Sequence, residues 1–135
     1  MTTSALPITK VHHIARVTRD AEKSVAFYRD VLGFRELERP GFNFSGGWLY
    51  GYDVQIHIIA NKDALTETEK EIQSRVNHVA FNVENIELAK QHLEARGIEY
   101  KEQVNAGGIH QIFFMDPDGH FIELAEYPPT PPFRD

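Results

Sequence analysis

Four side chains in this sequence have the types and spacing to hold a metal ion: His13, His57, His78 and Glu123. His13 lies in VHHIARV and His78 in VNHVAFNV, 65 residues later. His57 in VQIHIIA and Glu123 in HFIELAE are 66 residues apart. Imidazole nitrogen and carboxylate oxygen together suit Zn, Fe(II), Ni, Co or Mn(II). Two histidines and one carboxylate, with coordination positions left open, make a site competent for catalysis. Each residue alone reads equally as an ordinary strand residue at the surface or in the core. Recurrence at nearly one offset sets the four apart. On a half-buried strand, Glu123 and His57 each point either inward to such a site or out to solvent.

The elements that must carry these residues also come twice. Side chains alternate along a strand, so Val11, His13, Ala15 and Val17 share one face, and His12, Ile14 and Arg16 the other. In the second copy His78, Ala80 and Asn82 share a face, opposite the apolar Val79, Phe81 and Val83. Asp20 is an N-cap for a helix over AEKSVAFYRDVL, residues 21–32, ending at Gly33. Asn85 caps IELAKQHLEAR in the same way, ending at Gly97. Short strands follow each helix: 35–39, 47–51 and 54–60, then 98–104, 110–115 and 120–126. DPDG, Asp116 to Gly119, marks the last turn, because proline presets φ and glycine tolerates the exit. Each half therefore reads β-α-β-β-β, an α+β class. The polar stretch NKDALTETEKEIQSR joins them, with a helical turn expected at Thr66 over Glu69. The proline-rich end YPPTPPFRD is expected to be extended.

Composition excludes several functions. The 135 residues carry a net charge of −6 with no basic stripe, which argues against nucleic acid as partner. There is no cysteine, hence no disulfide, thiolate metal site or thiol nucleophile. No apolar run reaches the roughly 20 residues of a membrane helix, and MTTSALPITK has no signal-peptide core. The expectation is a soluble cytoplasmic protein that binds a small molecule. Of the other histidines, His12 and His92 read as surface, His120 as half exposed after its turn, and His110 as lining a cleft. Phe42, Phe44, Trp48, Tyr50 and Phe114 would serve either as walls around a ligand or as ordinary core.

The segments HHIARVTRDAEKSVAFYRDVLGF, GGWLYGYDVQIHII, NHVAFNVENIELAKQHLEARGI and FFMDPDGHFIEL together resemble the vicinal oxygen chelate superfamily, the glyoxalase/bleomycin resistance/dioxygenase group. The resemblance covers nearly all of residues 9–126. It implies one domain of two βαβββ modules, about 9–60 and 75–127, with a linker over 61–74 and a tail over 128–135. Their sheets would curl into a mixed sheet around a metal-centred cleft. It implies a divalent metal held by His13, His78 and Glu123, with His57 as a fourth ligand where glyoxalase I has a glutamate. It also implies a homodimer, with modules paired within or across chains and two equivalent clefts.

The chemistry implied is that of a metal ion acting as Lewis acid on vicinal substrate oxygens and stabilising an enediolate. Glu123 is then the base. Asn61 and Lys101 fall where glyoxalase I has glutathione-contacting residues, Arg75 falls near a third, and Trp48, Tyr50 and His110 complete the substrate-binding candidates. Val17 stands where glyoxalase I has a substrate arginine, so a glutathione substrate does not follow. The fosfomycin-transferase pattern agrees in its metal triad but departs at Ala15, Phe113, Gly107 and Gly108. An extradiol-type Fe(II) dioxygenase remains a second reading, with His57 or His110 as its acid–base residue. A metal-free binding protein of the resistance type is the third.

Overall fold

The computed structural model describes residues 4–64 and 71–134. The turn expected at Thr66 and Glu69 lies outside them. The chain divides into two compact units, Met1–Thr66 and Glu67–Asp135.

In the first unit, strand β1 (His13–Thr18) leads into helix α1 (Ala21–Ala26). Thr18 is fully buried, and its hydroxyl donates to the Asp20 carbonyl and accepts from the Asp20 amide. Asp20 then caps the helix, its carboxylate accepting from the Lys23 amide at 3.1 Å. The helix expected over 21–32 is not a single α-helix. After Ala26 it widens into a π turn over Phe27–Val31, in which the Leu32 amide reaches the Phe27 carbonyl. The wide turn lets Tyr28 and Phe34, both buried, meet with ring centroids 6.1 Å apart. Gly33, at φ +86°, supplies the left-handed exit, and the Phe34 amide closes onto the Tyr28 carbonyl.

Strands β2 (Arg35–Leu37), β3 (Gly46–Gly51) and β4 (Val54–Ala60) complete a sheet in the order β1-β4-β3-β2. Only β1–β4 is parallel, as a strand–helix–hairpin chain requires. Leu49, Ile56, Ile58 and Thr18 alternate onto one buried face, together with Val25 from α1. A Cβ at Gly47 would stand 2.7 Å from Val25, so the absence of a side chain there lets helix and sheet close.

The second unit repeats this. Strand β5 (His78–Asn82), helix α2 (Ile86–Ala95), and strands β6 (Lys101–Val104), β7 (His110–Met115) and β8 (Phe121–Ala125) form a sheet in the order β5-β8-β7-β6. Asn85 caps α2 with φ −142° and ψ 105°, against −142° and 100° for Asp20. Its side chain accepts from the Leu88 amide at 3.0 Å. Asn85→Ala removes that acceptor and is expected to cost about 1 kcal/mol in a urea titration.

The DPDG turn is held by Asp116, which is buried and accepts from the amides of Asp118 and His120. Gly119 provides φ +84°. Ile112, Phe114, Ile122 and Leu124 form the buried face with Ile86 and Leu93 of α2. The two strands expected over 35–39 and 98–104 are shorter than read, at 35–37 and 101–104. Residues 128–134 carry neither helix nor strand. Among the described residues no helix is long and apolar enough to cross a membrane.

Candidate functional site

Glu123 is a carboxylate between Ile122 and Leu124 on a strand whose other side is core. It is only 5% exposed. A charge taken out of water needs partners on every lone pair. Glu123 has three: Gln111 Nε2 donates to Oε1 at 3.2 Å, the Tyr127 hydroxyl donates to Oε2, and His78 Nε2 stands 3.3 Å from Oε1. The register explains the grouping. β5 runs parallel to β8 with Ala80 opposite Glu123, and β7 runs antiparallel with Phe113 opposite Glu123. His78 and Gln111 are thus each a diagonal neighbour of Glu123, on the same face.

His78 has its other ring nitrogen committed. Nδ1 lies 2.7 Å from the Val76 carbonyl, which only accepts, so Nδ1 carries the proton. Nε2 therefore faces the carboxylate either as a bare lone pair or as a second N–H. Two lone pairs 3.3 Å apart repel unless a proton or a cation lies between them. Two donors bound to one ion at 2.0–2.2 Å stand about 3 Å apart, so the pair fits a shared divalent ion. A backbone carbonyl on the second ring nitrogen is the usual support of a metal-binding histidine. The Phe113 and His78 rings meet edge to face, with centroids 5.9 Å apart. Burial first, then the bond to Glu123, pushes the Tyr127 hydroxyl up and keeps it a donor.

In the first unit, His13 and His57 come together differently. Their rings stack with centroids 3.9 Å apart and planes 7° apart. Trp48 stacks on the other side of His57 at 4.6 Å and 12°. His57 Nε2 is 2.9 Å from Gln55 Oε1, and His13 Nδ1 is 2.9 Å from His12 Nδ1. Burial, then the neighbouring His13, His12 and Arg39, lowers the His57 pKa and favours the neutral ring. Imidazole lone pairs lie in their ring planes, and these two planes are nearly parallel, so the stack does not aim both histidines at one point. Among the described residues no three His, Asp or Glu side chains gather closely enough to hold an ion together. The four ligand candidates stand as these two pairs, one in each unit.

The remaining candidates scatter. Tyr50 is 46% exposed and its hydroxyl reaches Asp53 at 3.4 Å. Just past β4, the Asn61 amide donates to the Thr18 carbonyl at the end of β1, and the Asn61 side chain is exposed. Lys101 opens β6 and is exposed, as is Arg75. His110 pairs with Glu102 at 2.6 Å, and Lys90 approaches the same carboxylate at 3.2 Å. The hydrogen bond from His110, then Lys90, holds Glu102 below the usual carboxylate range. His110 lines a cavity of about 620 Å³ in the second unit with Gly107, Gly108, Glu126 and Tyr127. Phe114 is fully buried in the core, whereas Phe42 and Phe44 are 46% and 42% exposed.

A sequence model of the Glyoxalase/Bleomycin resistance protein/Dioxygenase superfamily matches residues 10–124. The chain belongs to this superfamily. It is 36% identical over 125 residues to "Glyoxylase I 4" of Arabidopsis thaliana, covering 89% of this chain and 72% of that one. It is 26% identical to a lactoylglutathione lyase of Schizosaccharomyces pombe, covering 96% of this chain but spanning only 51% of that protein. The fold matches that of a FosX fosfomycin resistance protein variant from Listeria monocytogenes, solved with Mn(II) and 1S,2S-dihydroxypropylphosphonic acid. The TM-score is 0.69 at 24% identity, over 90% of this chain and 95% of that one.

Within this superfamily member, two residues beside Glu123 escaped the sequence reading. Gln111 faces Glu123 because β7 and β8 fold back around DPDG, and counting outward in steps of two from that turn would have found it. Tyr127 lies past the end of β8, where Asn82 Oδ1 holds its amide at 2.9 Å. Nothing local in the sequence announces that contact.

Proposed function

We propose that this chain is a metal-dependent, glyoxalase-like enzyme acting on a small substrate with vicinal oxygens, by isomerase or lyase chemistry. The observation that carries the reading is His78 Nε2 at 3.3 Å from the buried Glu123, with Nδ1 fixed by a backbone carbonyl. His78, Glu123 and His13 are assigned as ligands. His57, stacked between His13 and Trp48, is proposed as a fourth. A bound divalent ion would supply Lewis-acid charge for negative charge developing on the substrate oxygens.

The rest is the work of the chain. Glu123 is the group that takes and returns a proton at the substrate carbon. Tyr127 and Gln111 hold its two oxygens, so the carboxylate keeps its aim while one oxygen is engaged. Trp48 and Tyr50 supply wall, and Asn61, Lys101 and His110 are proposed contacts for the substrate's outer parts. The protein is read as a cytoplasmic homodimer.

Metal analysis of the purified protein, followed by turnover with hemithioacetals and catechols, tests this. Bound nickel, zinc, cobalt or manganese with hemithioacetal isomerisation is the expected result, and His13→Ala should lose most of its metal. A full complement in His13→Ala removes that residue from the ligand set. The His110–Glu102 pair beside a cavity favours one other reading, an Fe(II) dioxygenase with His110 as acid–base. Iron with oxygen uptake on catechols would establish it instead. Metal-free protein that binds without turning over would make the chain a sequestering protein.

A further inference from the structure

A row of rings with a cation at one end crosses the first unit. The Arg39 guanidinium lies 4.5 Å from the Phe42 centroid and 5.0 Å from that of Phe44. Phe42 and Phe44 stack at 5.4 Å, and Phe42 meets Trp48 at 5.9 Å. Trp48 leads on to His57 and His13. The row thus joins a proposed ligand to a fixed positive charge.

Three features of the row call for a ligand. Phe42 and Phe44 are both more than two-fifths exposed, although their stacked faces make one apolar patch. Arg39 forms no ion pair with any described residue, in a chain with 20 acidic and 14 basic side chains. Its Nη2 donates to the Phe44 carbonyl at 3.2 Å, while its buried Nε meets no acceptor. The sequence keeps room for this arrangement. A Cβ at Gly46 would come within 3.2 Å of Nη2 and 2.2 Å of the Ile58 carbonyl. A guanidinium carbon over two aromatic rings leaves the Nη1 hydrogens and the second Nη2 hydrogen for a planar anion.

We propose that this row is a binding subsite for an aromatic carboxylate. The ligand's ring lies on the Phe42, Phe44 and Trp48 rings, and its carboxylate takes the N–H edge of Arg39. If the metal-site reading holds, this names its substrate class: small aryl-substituted molecules that carry an acid. The subsite needs no metal to bind, so it can be tested apart from that reading.

Trp48 is the only tryptophan and reports on the row directly. Chelator-treated protein is titrated with benzoate, benzamide and cyclohexanecarboxylate while Trp48 emission is followed. Benzoate should give a saturable change and bind about ten-fold or more tightly than either other compound. Arg39→Met should bring benzoate down to the benzamide level while leaving benzamide binding intact, which also shows that the variant is folded. Phe42→Ala should weaken both aromatic ligands. Benzoate binding without metal-dependent turnover would uphold the subsite and sink the enzymatic reading. Equal binding of benzoate and benzamide, or an Arg39→Met protein that still prefers benzoate, would overturn the subsite.

Discussion

Glu123→Gln is expected to lower turnover by about 10²–10⁴-fold, the range a lost general base commands, and to retain little divalent metal after dialysis. Glutamine has nearly the same volume, so the buried site does not collapse. Its hydrogen bonds can also be rearranged. The amide oxygen accepts from Tyr127 in place of Oε2, and the amide nitrogen donates to the lone pair of His78 Nε2 in place of Oε1. Only the bond from Gln111 is lost.

The substitution therefore removes the charge and the proton acceptor while keeping the fold. Thermal melts of the two proteins without metal should agree within a few degrees. Metal content by mass spectrometry and initial rates with saturating metal are the readouts. Full turnover in the glutamine variant would remove Glu123 from the chemistry. Low metal content rescued to full rate at high metal concentration would leave it a ligand but not the base.

The duplicated architecture was legible because it rests on local signals. Asp20 and Asn85 hold nearly the same backbone angles at equivalent caps, and the polar residue before each apolar run was enough to place both helices. Alternation placed His78 opposite the apolar face of Val79 and Phe81, but left Phe114 open between ligand wall and core, and it is core. The π turn over Phe27–Val31 was not legible, because it depends on how Tyr28 and Phe34 meet once the sheet is present.

The same divide runs through the site. Donor types and strand positions could be read from spacing. The stacking of His57 against His13 and Trp48 depends on ring rotamers, and those are fixed by neighbours on other strands. The Tyr127 contact joins a residue outside regular structure to a buried carboxylate, so no periodicity reaches it.

Phe113 and Phe114 show how much a single step along a strand decides, and they carry the second large prediction. Both are 1% exposed or less. Phe114 pairs with Ile122 on the helix-side core, while Phe113 pairs with Glu123 and sets its ring against His78. Phe114→Ala leaves a cavity beneath α2 and is expected to cost about 3–5 kcal/mol. That is a large part of the roughly 5–15 kcal/mol that holds a typical domain. A melting point lower by about 10–20 °C follows for a chain of this length. Circular dichroism melts check it, and a shift under about 3 °C would mean that this side chain is not central to the core. Below its lowered melting point, Phe114→Ala should still bind metal with near-native affinity, because Phe114 lies on the face of the sheet opposite Glu123. Phe113→Ala should cost a similar amount of stability and also weaken metal binding, because His78 loses the ring packed against it. If the two variants bind metal equally well, then Val76 and Glu123 alone orient His78, and the aromatic edge contributes packing and nothing more.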